Sequence, residues 1–219
     1  MNNKSSAGGT RRICVLVSGR GSNMQAIHQR CADGTVPATV AAVITNNPQA
    51  GALAYAAEHD IDSAIVNHRD YADKLSFEAA LAGKVAEYKP DLVALAGFMR
   101  VLTAEFTNQY TGRLINIHPS LLPRYKGLDT HQRALACGER WHGCSVHFVS
   151  PALDGGPLIA RAIVPVLAND TEETLAKRVL AKEHILYPKV IADILSSHIT
   201  CRGGVVLRHG TPLRYPETI

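Results

Sequence analysis

The chain has 219 residues, of which 46% are hydrophobic and 19% charged, and this composition predicts a globular domain and excludes an intrinsically disordered protein. Its 23 Lys and Arg against 19 Asp and Glu give a formal net charge of +4, spread along the chain, so no basic run indicates a nucleic-acid partner. No apolar stretch approaches the roughly 20 residues of a membrane span, which argues against a membrane partner.

Taken in chain order, residues 1–10 are polar and are predicted to form a disordered leader that does not resemble an export signal. Short apolar runs then alternate with helical patterns, and several runs are continuously apolar, as buried parallel strands are. The predicted strands are 13–17, 39–44, 64–66, 91–95, 114–117, 145–149 and 158–164.

Three helices are predicted between and after these strands. The first covers 23–31, and the second covers 76–88 with Ser76 as its N-cap. The third begins near Asp170 and Glu173, whose spacing resembles a capping box.

The alternation of strands and helices predicts the α/β class, with a doubly wound, mostly parallel sheet in a single domain. The domain is expected over 11–195, and residues 196–219 are expected to form a C-terminal hairpin or tail. Ligands of such sheets bind beyond the carboxyl ends of the strands. The loops after Val17, Leu95, Ile117 and Val149 are therefore predicted to carry the chemistry.

A glycine-rich loop, Ser-Gly-Arg-Gly-Ser-Asn at 18–23, joins the first strand to the first helix. Glycines let the backbone approach an anion, and the helix N-terminus offers free N–H groups. The loop lacks the third glycine of a dinucleotide fingerprint, and no acidic residue follows the second strand to hold a ribose diol. It predicts a site for a single phosphate, with a plain strand-to-helix turn as the alternative.

A second polar group follows the fifth predicted strand. Strand alternation puts Asn116 and His118 on one face, where an acid/base group would lie beside an amide donor. Asp154, between turn residues after the next strand, is expected to enter the same crevice and favour the imidazolium form of His118. The alternatives are polar residues that satisfy loop backbone and an aspartate that only forms a turn.

The five cysteines, an odd number without a Cys-x-x-Cys pair, predict reduced thiols in a cytoplasmic protein. One of them, Cys144, lies close in the sequence to His142 and His147. On a strand His147 would face away from the other two, so these three side chains are not expected to bind zinc, and no metal site is predicted.

Five segments in this order resemble one known family: "SGRGSNMQAI", "DLVALAGFMRVL", "NIHPSLLPRYKG", "HGCSVHFVSPALDGGP" and "KEHILYP". The family is the glycinamide ribonucleotide transformylases, that is, the phosphoribosylglycinamide formyltransferases of purine synthesis, and the resemblance spans about 13–188. Five segments in the right order are more specific than any single motif. The resemblance implies a formyltransferase-like, Rossmann-related fold.

The resemblance also implies roles for individual residues. The catalytic residues would be Asn116, His118 and Asp154. The phosphate and ribose of the acceptor would be held by Gly21, Ser22, Asn23 and Glu183. The folate would contact Lys74, Met99, Arg100, Val101, Leu102 and Asn116. The chain departs from the family at Lys74, where an Arg is frequent, and at Asp129, where close relatives often have His; His131 is retained.

The implied reaction moves a formyl group from 10-formyltetrahydrofolate, as co-substrate, to the amine of 5'-phosphoribosylglycinamide in de novo purine biosynthesis. Its products are formylglycinamide ribonucleotide and tetrahydrofolate. The implied partners are these small molecules, and the expected state is a cytoplasmic monomer or homodimer. Asn116 and a protonated His118 would stabilise the tetrahedral oxyanion, and no covalent enzyme intermediate or metal is required.

Three other functions remain open at this point. A formyltetrahydrofolate hydrolase would use water in place of the amine, but is expected to carry a regulatory domain before the first strand. A methionyl-tRNA formyltransferase would need a further C-terminal RNA-binding domain and lacks the Gly-Ser-Asn loop. A non-catalytic nucleotide-binding module would have no reason to place Asn116, His118 and Asp154 around one crevice.

Overall fold

The computed structural model describes residues 9–219, so the predicted leader lies outside the described residues except for Gly9 and Thr10, which are exposed. The strands are β1 (Arg11–Val17), β2 (Ala38–Thr45), β3 (Ser63–Ile65), β4 (Leu92–Leu95), β5 (Leu114–His118), β6 (Trp141–Phe148), β7 (Leu158–Pro165), β8 (Ile199–Arg202), β9 (Val205–Arg208), β10 (Thr211–Pro212) and β11 (Glu217–Thr218). The helices are α1 (Ser22–Ala32), α2 (Ala52–Glu58), α3 (Lys74–Glu87), α4 (Ala104–Gln109), α5 (Thr130–Ala136) and α6 (Glu172–Leu195), with a short 3-10 helix at His68–Asp70. Within 9–219 no helix is long and apolar enough to cross a membrane.

The central sheet has eight strands in the order β11-β7-β6-β5-β4-β1-β2-β3. The neighbouring strands β3, β2, β1, β4 and β5 are all parallel to one another. β6 pairs antiparallel with both β5 and β7, and β11 pairs parallel with β7. The predicted α/β class and mostly parallel sheet are confirmed. The seven predicted strands all overlap observed ones, although β6 begins four residues before the predicted start at Ser145.

Apolar residues on β1 alternate between two cores, as the period of a strand requires. Ile13 and Val15 pack with residues of α1, α2 and α6 on one face. Cys14 and Leu16 pack with residues of α3 and α4 on the other face. The sheet is therefore covered on both sides, which is why β1 is apolar throughout its buried part.

The antiparallel direction of β6 corrects one expectation. Its last residues lie beside the start of β5, since the Val149 N–H donates to the Leu114 carbonyl oxygen at 2.9 Å. The loop after Val149 therefore does not leave the sheet at the edge where β1, β4 and β5 end. Asp154 nevertheless lies 3.4 Å from His118, the last residue of β5. The loop closes beside Gly156, where a Cβ would overlap the Phe148 carbonyl oxygen, and glycine permits this close approach.

Two predicted helix starts are wrong in detail. Asp73, not Ser76, caps α3; its carboxylate accepts from the Ser76 N–H at 2.7 Å, while Ser76 occupies the third helical position. The capping box of α6 is formed by Thr171 and Thr174. Asp170 instead forms an ion pair with Arg178 at 2.6 Å, because the guanidinium of the second helical turn reaches back to it.

The C-terminal segment forms a small three-stranded sheet, β10-β9-β8, and then adds β11 to the edge of the main sheet. The apolar run at 205–207 lies in β9, which pairs antiparallel with β8. Asp193 near the end of α6 joins the segment to the helix through Arg208 at 3.4 Å. The segment is thus held against the domain at both the helix and the sheet edge.

Candidate active site

Asn116 and His118 lie at the end of β5, on the face opposite Ile115 and Ile117, which enter the apolar core. His118 is buried at 6% exposure, and Asn116 is half-buried. The alternation expected from the sequence therefore brings an amide and an imidazole to one crevice at the carboxyl edge of the sheet.

Two hydrogen-bond acceptors hold the imidazole of His118. Nδ1 lies 3.4 Å from Oδ2 of Asp154, and Nε2 lies 2.9 Å from the carbonyl oxygen of Tyr125. The Tyr125 carbonyl only accepts hydrogen bonds, so Nε2 donates to it, and Nδ1 faces the carboxylate. A ligand that bonds to Nε2 must replace the Tyr125 carbonyl.

The two partners of His118 share an uncommon backbone conformation. Tyr125 has φ 55° and Asp154 has φ 44°, in the left-handed region that side chains other than glycine rarely adopt. The N–H of Gly127 donates to the Asp154 carboxylate at 2.9 Å and ties the two loops together. Such strain is maintained by the surrounding contacts and is characteristic of functional sites.

His147 is a site residue that the sequence reasoning missed, because it considered this side chain only as a zinc ligand. Asn116 Nδ2 lies 3.2 Å from Nε2 of His147, while Nδ1 of His147 is 2.9 Å from the Phe148 carbonyl oxygen. Nδ1 must donate to that carbonyl, so Nε2 accepts from Asn116 and the ring is neutral. Burial lowers the pKa of His147, which agrees with a neutral ring.

The glycine-rich loop forms the start of α1. Gly21 is its N-cap in the left-handed conformation, φ 77°, and a Cβ there would come within 2.7 Å of the Ala52 side chain. Only glycine fits without displacing α2. Ser22, the first helical residue, is half-buried, and no side chain caps α1, so its first N–H groups face the loop.

Asn23 and Glu183 meet although they are 160 positions apart: Asn23 Nδ2 donates to Oε2 of Glu183 at 2.6 Å. Asn23 Oδ1 is buried and has no hydrogen-bond partner among the described residues. Burial raises the pKa of Glu183, and the bond from Asn23 opposes that rise. One turn later in α6, the Tyr187 hydroxyl donates to the Leu95 carbonyl oxygen at 2.9 Å, which fixes α6 against the end of β4.

The stretch predicted to contact folate follows β4. The side chains of Met99 and Val101 are 67% and 53% exposed, whereas Leu102 is buried in the second core. Arg100 is exposed. Lys74 is turned toward buried Glu78 at 3.9 Å, and the carboxylate of Glu78 accepts from the Thr103 N–H at 3.1 Å. Lys74 thus lies near this stretch.

A cavity of about 520 Å³ opens beside that stretch, at the ends of β1, β2 and β4. Its wall contains two guanidinium groups, several amides and no carboxylate. The lining residues are Ser18, Asn46, Asn47, Pro48, Gln49, Asn67, His68, Arg69, Met99 and Arg100. An open cavity of this character suits an anionic or polar part of a ligand.

His131, which is half-buried, and His142, which is buried, lie near His118, with Nδ1 of His131 3.2 Å from Nε2 of His142. Burial, and then the neighbouring His131, lower the pKa of His142 to about 4. Asp129 is the N-cap of α5, with φ 55° and no side-chain capping bond. Among residues 9–219 no group of three or more His, Cys, Asp or Glu is arranged to hold a metal ion.

Chemically, the crevice combines an oriented amide donor, an imidazole beside a carboxylate, and a helix N-terminus free for an anion. Such groups can stabilise an oxyanion, transfer a proton and bind the phosphate of a substrate.

Comparison with known proteins identifies the relatives of the chain. The formyl transferase family model matches residues 11–191. Phosphoribosylglycinamide formyltransferase of Escherichia coli is 46% identical over 180 residues, covering 82% of this chain and 85% of that protein. The solved phosphoribosylglycinamide formyltransferase of Coxiella burnetii is 42% identical with a TM-score of 0.92, covering 96% of this chain and 100% of that one.

A solved formyltetrahydrofolate deformylase from Pseudomonas syringae also matches, with a TM-score of 0.84 over 92% of this chain and 66% of that one. Its identity is 23%, so this likeness shows the shared fold alone.

Proposed function

The chain belongs to the formyl transferase family, and we propose that Asn116, His118 and Asp154 carry out its reaction. The enzyme is a phosphoribosylglycinamide formyltransferase of purine biosynthesis, and 10-formyltetrahydrofolate is its co-substrate. It transfers the formyl group to the amine of 5'-phosphoribosylglycinamide and releases tetrahydrofolate and formylglycinamide ribonucleotide.

In the reaction the acceptor amine attacks the formyl carbon and forms a tetrahedral intermediate. The bond from that carbon to the folate nitrogen then breaks, and one proton passes from the amine to the departing nitrogen. Asn116, oriented by His147, donates to the developing oxyanion through its Nδ2 group. His118 stabilises the same charge through an N–H donor of its ring and relays the proton.

The observation that carries this proposal is the position of His118. Its ring lies between the Asp154 carboxylate and the Tyr125 carbonyl, beside Asn116, in a crevice where it is 6% exposed. The carboxylate orients the ring, and low exposure strengthens the interaction of an N–H donor of the ring with an oxyanion. Entry of a substrate in place of the Tyr125 carbonyl would give Nε2 access to the reacting atoms.

We assign the acceptor to the start of α1 and to α6. Gly21, Ser22 and Asn23 bind the phosphate through N–H groups at the helix N-terminus, and Glu183 accepts from the ribose hydroxyls. The unpaired Oδ1 of Asn23 supports this assignment, because a buried acceptor without a partner is costly and rare. A ligand hydroxyl or amine would supply the missing donor.

We assign the formyl folate to the exposed stretch after β4. Met99 and Val101 offer apolar contacts, Leu102 supports them from the core, and Asn116 contacts the formyl end. Arg100 and Lys74 supply positive charge for the carboxylates of the folate. The activity is assigned to the domain at 11–195, with 196–219 as a structural tail.

A cytoplasmic location and a monomeric or homodimeric state complete the proposal. All five cysteines are free thiols, two of them buried, which fits a reducing compartment. The partners are the two small-molecule substrates.

The proposal is tested by incubating the purified protein with 10-formyltetrahydrofolate, with and without phosphoribosylglycinamide. Tetrahydrofolate release should depend on the acceptor, and mass spectrometry should detect the formylated acceptor. Release at an equal rate without acceptor would indicate a hydrolase, and absence of turnover with both substrates would contradict an enzymatic role.

A further inference from the structure

Three polar side chains connect the stretch after β4 to the ends of β1 and β2. The N–H of Met99 donates to the hydroxyl of Ser18 at 2.8 Å, and that hydroxyl donates to Oδ1 of Asn46 at 2.6 Å. Asn46 Nδ2 then lies 3.3 Å from Nδ1 of His68. This series of hydrogen bonds links the ends of β4, β1 and β2 to the short 3-10 helix.

From Met99 to Asn46 the donors and acceptors follow one direction. The Ser18 hydroxyl has a single hydrogen, which it gives to Asn46, so its lone pair remains for the Met99 N–H. Asn46 is buried at 4% exposure, with its side-chain oxygen toward Ser18. At its other side, Nδ1 of His68 lies 3.3 Å from both the side-chain nitrogen and the backbone carbonyl oxygen of Asn46, so His68 contacts Asn46 in either tautomer. A buried amide held from both sides in this way has little freedom to rotate.

Ser18 also contacts the segments after β4 and β2 through its backbone. Its N–H donates to the Gly97 carbonyl oxygen at 3.1 Å, and its own carbonyl accepts from Asn47 Nδ2 at 3.2 Å. The side chain of Met99 is 67% exposed, so packing does little to fix this residue. Its backbone position therefore depends on the bond to Ser18.

We propose that Ser18, Asn46 and His68 are positioning residues that hold the stretch at 99–102 in the conformation that binds the formyl donor. The inference rests on the proposed function, which assigns the donor to that stretch. All three side chains also line the 520 Å³ cavity, so this series of hydrogen bonds shapes the surface that the formyl donor contacts. Their effect is on donor binding, and they contact no reacting atom.

The test compares three serine variants in steady-state kinetics with both substrates varied. Ser18→Ala removes both side-chain bonds and should raise the KM for the formyl folate about tenfold, the effect of losing one hydrogen bond whose partner stays buried. The KM for the acceptor and kcat should stay within about twofold, because α1 keeps its own start at Gly21. Ser18→Thr retains the hydroxyl and should restore donor binding, while Ser63→Ala on exposed β3 is the matched control.

Binding of a non-reactive folate analogue to the free protein, measured by calorimetry, should weaken by the same factor in Ser18→Ala. If Ser18→Ala does not fold, His68→Ala, at the far end of the series of hydrogen bonds from Met99, should raise the KM for the formyl folate about two- to fivefold. This is roughly half of the free-energy change expected for Ser18→Ala. An unchanged donor KM in a folded variant, or equal rises for both substrates, overturns the inference. Absence of transfer by the wild type would instead contradict the proposed function.

Discussion

His118 Nδ1 lies 3.4 Å from the Asp154 carboxylate, although Asp154 belongs to a loop that begins beside the start of β5 and not beside its end. The loop is closed at its base, where Gly156 packs against the Phe148 carbonyl oxygen, and the Gly127 N–H donates to the Asp154 carboxylate. The two residues therefore form a preorganised pair held by contacts between loops, and they are expected to act as one unit.

Replacement of His118 by alanine should leave the fold intact and lower kcat by about 10²–10⁴-fold, the usual contribution of a general acid or base. Both KM values should change little, because the acceptor and donor contacts lie elsewhere. Circular dichroism and steady-state kinetics would check this, with His59→Ala on the exposed surface as control. Near-normal turnover in a folded His118→Ala protein would remove this residue from the mechanism.

Replacement of Asp154 by asparagine should lower the transfer rate by about 10²-fold, because the negative charge that faces Nδ1 of His118 at 3.4 Å is lost while the size of the side chain is kept. The measurement is kcat for both proteins at saturating substrates, with circular dichroism to confirm that the variant folds. A near-normal kcat in the folded variant would leave Asp154 only the structural role of accepting from Gly127.

Most of the sheet could be predicted from the sequence because continuous apolar runs such as Ile13 to Val17 have few alternatives to a buried strand. The missed helices, α2, α4 and α5, have seven, six and seven residues. Two turns or fewer give too few apolar positions for a helical period to stand out. Such short helices form because the sheet they cover needs burial, which is a tertiary effect.

The site was predictable where strand alternation alone decides, as for Asn116 and His118. The role of His147 could not be predicted, because its contact with Asn116 depends on the antiparallel pairing of β6 with β5. The register of that pairing places His147 opposite Asn116. The Asn23–Glu183 bond joins positions 160 apart and also follows only from the packing of α6 on α1. The family resemblance, and not the residue pattern, pointed to Glu183.

Replacement of His147 by alanine should lower kcat about tenfold by releasing the Asn116 amide from its fixed orientation, roughly the value of one hydrogen bond. The phenylalanine variant fills the same space without accepting a hydrogen bond and should lose as much activity as alanine. Glutamine offers an acceptor and should lose less. Kinetics at saturating substrates would check this order, and a phenylalanine variant that keeps the activity lost in alanine would point to packing instead of orientation.

Replacement of Glu183 by glutamine should raise the KM for the acceptor about tenfold and leave the donor KM unchanged, because only the acceptor ribose is assigned to this carboxyl group. The variant should be at least as stable as the wild type at neutral pH. Burial raises the pKa of Glu183, so the charged form costs folding free energy that the neutral amide avoids. Thermal unfolding and kinetics together test this, and a loss of stability with unchanged acceptor KM would mean that Glu183 only supports Asn23.

Acid should destabilise the protein through His142, whose pKa is lowered to about 4 from an ordinary 6.5 by burial and then by His131. Above pH 6.5 the ring is neutral in both the folded and the unfolded chain, and it contributes no pH dependence. As pH falls from 6.5 toward 4 the unfolded chain takes up the proton first, so the free energy of unfolding decreases, by about 3 kcal/mol at most. Urea unfolding of the wild type and of His142→Gln between pH 7 and 4 should show the smaller decrease in the variant, with His59→Gln as the exposed control. The same decrease in all three proteins would mean that other groups control acid stability.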